Sequence, residues 1–390
     1  MSESETLAMA RLARELRSQG RQVLNLSLGE PNFDVPDVIK KAAMQAIINN
    51  FSHYTPVPGY PELLEAVCEK LERDNGLTYS PSQIVCTTGA KQAIANAVYA
   101  LVNPGDEVLL PVPYWVSYRE MVNFAGGKCI LVPSTADEGF KPSAEKIKSY
   151  ITSRTKLLIF SSPCNPSGAV WNQQELAEWA SVLEKYPGIY IISDEIYEHI
   201  NYGVKPVSLA QFPAIKDRVI VVNGLSKGFA MTGWRFGYSA SHFELASAFV
   251  KIMGQYTSAT CSITQRAAIA ALKANPEELV GPMVKTFAFR RQLIVELLKN
   301  EIPELKFIIP EGAFYIFADA SFYFGKITPQ GKIIHDSQDL CMYLLYEAGV
   351  ALTPGTAFGI SDHIRFSFAA TERDIELSIK LVASALSALQ

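Results

Sequence analysis

VIVVNGLSKGFAMTGWRFGYSA, residues 219–240, opens with four β-branched residues in a row. Such a run, with no polar alternation, predicts a strand buried on both faces. The chain then turns through Ser226, Lys227 and Gly228 and reaches Arg235 eight residues after the lysine. A cation carried to the mouth of a core strand needs a compensating partner, because a half-buried charge without one is costly.

The same texture extends in both directions. QIVCTTG, EVLLPVP, KCILVP, KLLIFSSP, IYIISDE and RFGYSA are short apolar runs, and amphipathic stretches near 90–102, 114–125 and 173–185 separate several of them. Apolar strands spaced by helices predict an α/β fold with a mostly parallel sheet covered on both sides. Helices are expected at 3–18, 36–50 and 61–74, while HYTPVPGYP is too rich in proline for a regular element. Amphipathic stretches at 242–273 and 276–300 follow. After them FIIPEGAFYIFADAS, a helix near 336–348, VALTPGTAF and HIRFSFAA form a smaller α+β unit. The expected division is residues 1–35 as an N-terminal segment associated with the small domain, 36–285 as the large domain and 286–390 as the small one.

At 390 residues the chain exceeds the size at which single cores stop growing. Its net charge of −4 gives no reason to expect nucleic acid or an anionic membrane as partner. No run of about 18 apolar residues predicts a membrane span. The opening MSESETLAMARLAREL lacks the apolar core of a signal peptide. Six cysteines without a CxxC pair read as reduced thiols of a cytoplasmic protein.

Asn165, Asp194 and Lys227 fall at or just past the C-terminal ends of expected parallel strands, the edge where open α/β sheets bind ligands. A lysine amine condenses with aldehydes, and pyridoxal 5′-phosphate is the usual partner. That cofactor also needs a carboxylate for its ring nitrogen, and its phosphate needs a helix N-terminus and a cation. TTGAKQAIANAVYA (87–100) offers the helix start and Arg235 the cation.

SLGEPNF, PYWVSY, SPCNPSGAV, SDEIYEHI, NGLSKGFAMTGWRFGY and HIRFSFA occur in one order and spacing. With them the chain resembles the class I aminotransferases of the fold-type I pyridoxal-phosphate enzymes, in particular the bacterial-type aspartate aminotransferase branch, some of whose members also act on prephenate. The resemblance runs from about residue 6 to the C-terminus. It implies a central seven-stranded sheet, pyridoxal 5′-phosphate as cofactor, no metal, and amino acids and 2-oxo acids as substrates. Lys227 is then the catalytic lysine that bears the cofactor and shuttles a proton at the substrate α-carbon. Asp194 pairs with the ring nitrogen, Tyr197 and Asn165 bond the ring's phenolic oxygen, and Trp115 stacks on the ring. Arg235, the backbone of Ala90 and Lys91, and Ser226 hold the phosphate. Many members carry serine where Gly224 stands, so one phosphate contact is expected to be missing. Tyr54 resembles a tyrosine that reaches the phosphate of a neighbouring subunit, which implies a homodimer with shared sites. Arg365 clamps the substrate carboxylate and Gly29 gives a backbone contact, with Asn165 and Trp115 also bordering the substrate. Lys91 meets a distal carboxylate, and Thr6 accompanies prephenate use.

Singly, these residues have plainer readings. Asp194 and Thr6 read as helix N-caps, Trp115 as a core tryptophan, Arg365 as the partner of an internal acid, and Lys91 as a solvated cation. The expected activity is transfer between L-aspartate or L-glutamate and 2-oxoglutarate or oxaloacetate, with prephenate as a further acceptor. The alternatives are an aromatic or alanine aminotransferase, a lyase or synthase on the same scaffold, and a pyridoxal-binding regulator. About 20 residues precede LNLSLGEPNF, too few for the DNA-reading domain such regulators carry.

Overall fold

A computed structural model describes residues 5–390, with side chains from Ala8 onward. After the helix Glu5–Ser18, the two-residue strand β1 (Leu24–Asn25) leads into the loop of the SLGEPNF motif. The central sheet contains β2 (Ile84–Thr87), β3 (Glu107–Pro111), β4 (Lys128–Val132), β5 (Thr155–Ser161), β6 (Tyr190–Asp194), β7 (Val219–Gly224) and β8 (Gly237–Ala240). Their order is β2-β8-β7-β6-β5-β3-β4, and β8 runs antiparallel to both its neighbours while the other pairs are parallel.

Burial explains why the strands lack alternation. Every residue of β2, β3, β7 and β8 is buried, and β5 and β6 depart from this at one position each. Consecutive residues feed different cores, as the period of two requires. Val108, Leu110, Leu157, Ile159, Ile192, Ile220 and Val222 join one apolar cluster. Leu109, Leu158, Phe160, Ile191, Val219 and Val221 join the other.

Gly224 and Gly237 face each other across β7 and β8. A Cβ on Gly224 would lie 2.6 Å from the Phe236 carbonyl oxygen and 2.9 Å from Gly237 Cα. A side chain at position 224 therefore has no room on this backbone.

The smaller unit contains β9 (Lys306–Phe307), β10 (Tyr315–Asp319), β11 (Val350–Ala351), β12 (Thr353–Pro354) and β13 (His363–Ser367). An antiparallel sheet has the order β12-β13-β10-β9, and β1 pairs in parallel with β11, Leu24 opposite Val350. The N-terminal segment is thus tied to C-terminal chain. The expected bounds at 35 and 285 fall just ahead of the helix Asp37–Ile48 and inside the helix Gly281–Glu301.

Some elements depart from expectation. The stretch 242–273 is two helices, Phe243–Tyr256 and Ser262–Lys273, parted at Ser258, which has φ 59°. The helix Ala144–Ser149 has only six residues, too few to show a helical period, and starts where Ser143 accepts from the Lys146 N–H. The long C-terminal helix Glu372–Ser387 is a further element without a specific expectation. Among the described residues no helix is long and apolar enough to cross a membrane.

Candidate active site

Parallel register aligns the strand ends: Ser161 of β5 lies beside Asp194 of β6, which lies beside Val222 of β7. The chain leaving each strand turns along one edge of the sheet, and a cavity of ≈ 370 Å³ opens there. Of the thirteen residues singled out, all but Tyr54 and Thr6 line it. Tyr54 is 98% exposed, and Thr6 lies in the helix Glu5–Ser18 with its side chain outside the described residues.

The Lys227 ammonium donates to the Gly29 carbonyl oxygen at 2.5 Å and lies 6.0 Å from the centre of the Tyr197 ring. Removal from water pulls its pKa down to about 8. Glu30 opposes that pull, Arg365 and Arg235 add to it, and Asp194 resists it. Gly29 has no side chain for a steric reason, since a Cβ would lie 2.6 Å from the Tyr315 hydroxyl oxygen.

Asp194 ends β6 and is 4% exposed. It caps no helix; it accepts from the Tyr118 hydroxyl at 2.6 Å and from the Ile196 N–H at 3.3 Å. Burial nevertheless raises its carboxyl pKa to about 6. Three residues on, the Tyr197 hydroxyl shares a hydrogen bond of 2.7 Å with that of Tyr315.

Arg235 follows the one-turn helix Thr232–Trp234 in left-handed conformation, φ 56°, and its Nη1 donates to the Thr232 carbonyl oxygen at 2.7 Å. Its guanidinium rests on the glycine turn that starts the helix Ala90–Leu101. A Cβ on Gly89 would lie 2.5 Å from Nη2, and one on Gly237 would lie 2.3 Å from the Ala90 nitrogen. A cation, a helix N-terminus and a backbone stripped of side chains make a place for an anion. Ser226 borders the same cavity.

Lys91 occupies the first turn of that helix, 5.0 Å from the centre of the Trp115 ring. Burial, then Arg235, pulls its pKa down, and no carboxylate among the described residues pairs with it. Trp115 meets Tyr118 edge-on, with ring centres 5.4 Å apart.

Arg365 sits in the middle of β13 and is 2% exposed, with its guanidinium 4.3 Å from the Tyr315 ring centre and 5.0 Å from that of Phe358. Nη1 donates to Asn165 Oδ1 at 2.8 Å, and Nη2 donates to the Ser27 carbonyl oxygen at 2.5 Å and to Thr353 Oγ1 at 3.2 Å. Nε has no partner. The internal acid that a lone buried arginine would call for is absent among the described residues.

Sequence reading did not single out Tyr118, Tyr315, Glu30 or Thr232, all of which line the cavity. Tyr118, Glu30 and Thr232 stand inside quoted motifs, yet nothing in the residue type marks them apart from their neighbours. In sum, the four cations Lys91, Lys227, Arg235 and Arg365 face two carboxylates, Glu30 and Asp194. The cavity is suited to anionic ligands and holds an amine whose proton is loosely held.

The family described as aminotransferase class I and II matches residues 21–380. An aspartate/prephenate aminotransferase of Cereibacter sphaeroides is 44% identical over 373 residues, 95% of this chain and 92% of that one. The aspartate aminotransferase of Rhizobium meliloti superposes with a TM-score of 0.96 at 40% identity, covering 100% of this chain and 98% of that one. That of Thermus thermophilus, solved with maleate, gives 0.92 at 38% identity, covering 99% and 97%. With nine-tenths of its length matched by the family and its fold shared throughout with solved members, this chain belongs to the class I and II aminotransferases.

Proposed function

We propose that the chain carries pyridoxal 5′-phosphate on Lys227 and exchanges the amino group of L-aspartate or L-glutamate with a 2-oxo acid, prephenate being a further acceptor. One observation carries the reading: among the described residues no acid pairs with the buried Arg365 and its Nε is unpartnered, in a cavity where cations outnumber carboxylates. A phosphate and a substrate carboxylate bring the negative charge these side chains lack, so the donor set fits the cofactor.

In this reading Arg235, Ser226 and the first N–H groups of the helix Ala90–Leu101 hold the phosphate. Asp194, which forms no ion pair among the described residues, takes the ring nitrogen; Tyr197 and Asn165 take the phenolic oxygen, and Trp115 the ring face. When bound, the cofactor supplies the aldehyde carbon that receives the amino group and a ring that withdraws electrons from the α-carbon. Arg365 and the Gly29 backbone orient the substrate through the carboxylate common to amino and oxo acids. The Lys227 amine takes the α-proton and returns it, and a pKa near the working pH suits both directions.

Lys91 has a free ammonium for a distal carboxylate. Support for a dicarboxylic substrate comes from relatives named for aspartate and prephenate and from the Thermus protein's maleate, itself a dicarboxylate. The exposed Tyr54 serves the site of a second copy in a homodimer, and Thr6 accompanies prephenate use. Residues 36–285 form the cofactor-binding domain, and 286–390 with segment 1–35 the small one. Six cysteines scattered without a CxxC pair support a cytoplasmic setting.

Borohydride reduction of the loaded protein, followed by peptide mass mapping, should place a pyridoxyl group on Lys227. Amino transfer should be fastest with aspartate and glutamate among a set that includes prephenate, phenylpyruvate and pyruvate. An unmodified Lys227 refutes the cofactor assignment, and oxo-acid release without transfer to a second oxo acid makes the protein a lyase.

A further inference from the structure

The stretch 27–30 touches both cations that the reaction needs. The Ser27 carbonyl accepts from Arg365 and the Gly29 carbonyl accepts from Lys227. The next side chain, Glu30, lines the cavity and accepts from the Thr232 hydroxyl at 2.5 Å through Oε1. Thr232 in turn gives its carbonyl to Arg235. The stretch is anchored behind: Leu24 lies opposite Val350, and the Leu26 carbonyl accepts from the Ser367 N–H at 2.8 Å.

We infer that Glu30 is a positioning residue, whose carboxylate ties the lysine-bearing loop to the N-terminal segment and holds a negative charge beside the Lys227 amine. The charged and titratable groups that face this amine come from several elements. Glu30 belongs to the N-terminal segment, Arg365 to β13, Arg235 to the amine's own loop and Asp194 to β6, with the Tyr197 ring beyond it. Two of these, Arg365 and Arg235, are cations, and both disfavour a protonated amine. Glu30 is the strongest group acting the other way. Its role in turnover rests on Lys227 being the amine that takes and returns the α-proton, since an amine of lowered pKa is a weaker base towards that proton. The tie itself does not depend on that reading.

Two variants separate charge from tether. Glu30→Gln keeps a group able to accept from Thr232 and removes the charge, whereas Thr232→Val keeps the charge and releases it. The readout is reductive methylation with formaldehyde and cyanoborohydride across pH in the full-length, cofactor-free chain. Peptide mass mapping follows Lys227, with the exposed Lys205 as reference. In the unaltered chain the Lys227 midpoint should lie at about pH 8. Glu30→Gln should lower it by about half a pH unit or more, Thr232→Val should lower it by less, and Glu30→Asp should restore part of the difference. An unmoved midpoint in Glu30→Gln, or an equal shift at Lys205, overturns the inference. Should circular dichroism show Glu30→Gln unfolded, an unmoved midpoint in Thr232→Val overturns it instead. A shifted midpoint together with a Lys227 that borohydride mapping finds unmodified removes the transaminase reading and leaves the tie standing.

Discussion

Arg365→Lys is the substitution whose outcome follows most directly from the geometry. The guanidinium lies 4.3 Å from the Tyr315 ring centre and 5.0 Å from that of Phe358, and its donors are shared among Asn165, Ser27 and Thr353. Lysine keeps the charge but replaces a planar fork with one ammonium, which cannot offer two parallel bonds to a carboxylate. Losing one charge-assisted hydrogen bond costs about 1.5–3 kcal/mol. At about 1.4 kcal/mol per factor of ten, kcat/KM should fall about 10- to 150-fold. Asn165 Oδ1 or the Ser27 carbonyl also loses a donor, at about 1–3 kcal/mol each, which should appear separately as a lower Tm. The assay is kcat/KM of the amino-donor half-reaction for aspartate, glutamate, alanine and phenylalanine. Because the α-carboxylate is common to all four, the factor should be the same for each. A change within about threefold for all of them, or a loss confined to the two dicarboxylic acids, refutes the clamp.

Lys91→Ala should produce the complementary pattern, lowering kcat/KM about tenfold or more for aspartate and glutamate while leaving alanine and phenylalanine close to the parent. Asp194→Asn tests the buried carboxylate through stability. Its folded pKa of about 6 exceeds the ordinary 3.8, so the folded chain loses stability as pH rises from about 4 through 6. About two pH units correspond to about 3 kcal/mol as an upper limit. The cofactor-free Asn variant should therefore melt above its parent at pH 8, with the gap closing towards pH 4, and calorimetry at several pH values reads it. Gly237→Ala drives a Cβ to 2.3 Å from the Ala90 nitrogen, so it should cost about 1–3 kcal/mol or more by denaturant titration. It should also weaken binding of pyridoxal 5′-phosphate to the cofactor-free chain, because the displaced backbone starts the helix Ala90–Leu101.

What could be read in advance divides along physical lines. β7 was legible because burial on both faces removes alternation, and Asp194 and Lys227 were legible because each sits where a buried strand runs out. Arg365 was legible as a cost, a guanidinium inside an apolar strand, and the structure sharpens that cost by pairing it with no acid among the described residues. Gly224 shows the opposite case. The resemblance alone suggests a serine replaced, whereas the packing of β7 against β8 makes it a position where no side chain fits. Tyr118, Tyr315, Glu30 and Thr232 carry no period and no unusual composition, and their contacts span long stretches of chain. Tyr118 reaches Asp194 across 76 positions, Tyr315 reaches Tyr197 across 118, and Thr232 reaches Glu30 across 202. Such contacts depend on which strands pair, since β1 must find β11 before residues 27–30 can lie beside Lys227 and Arg365. The residues that bear the proposed chemistry are therefore marked by the local cost of placing a charge in a core. Those that hold them are chosen by topology, and the Glu30 variants ask whether that second group governs how tightly the amine keeps its proton.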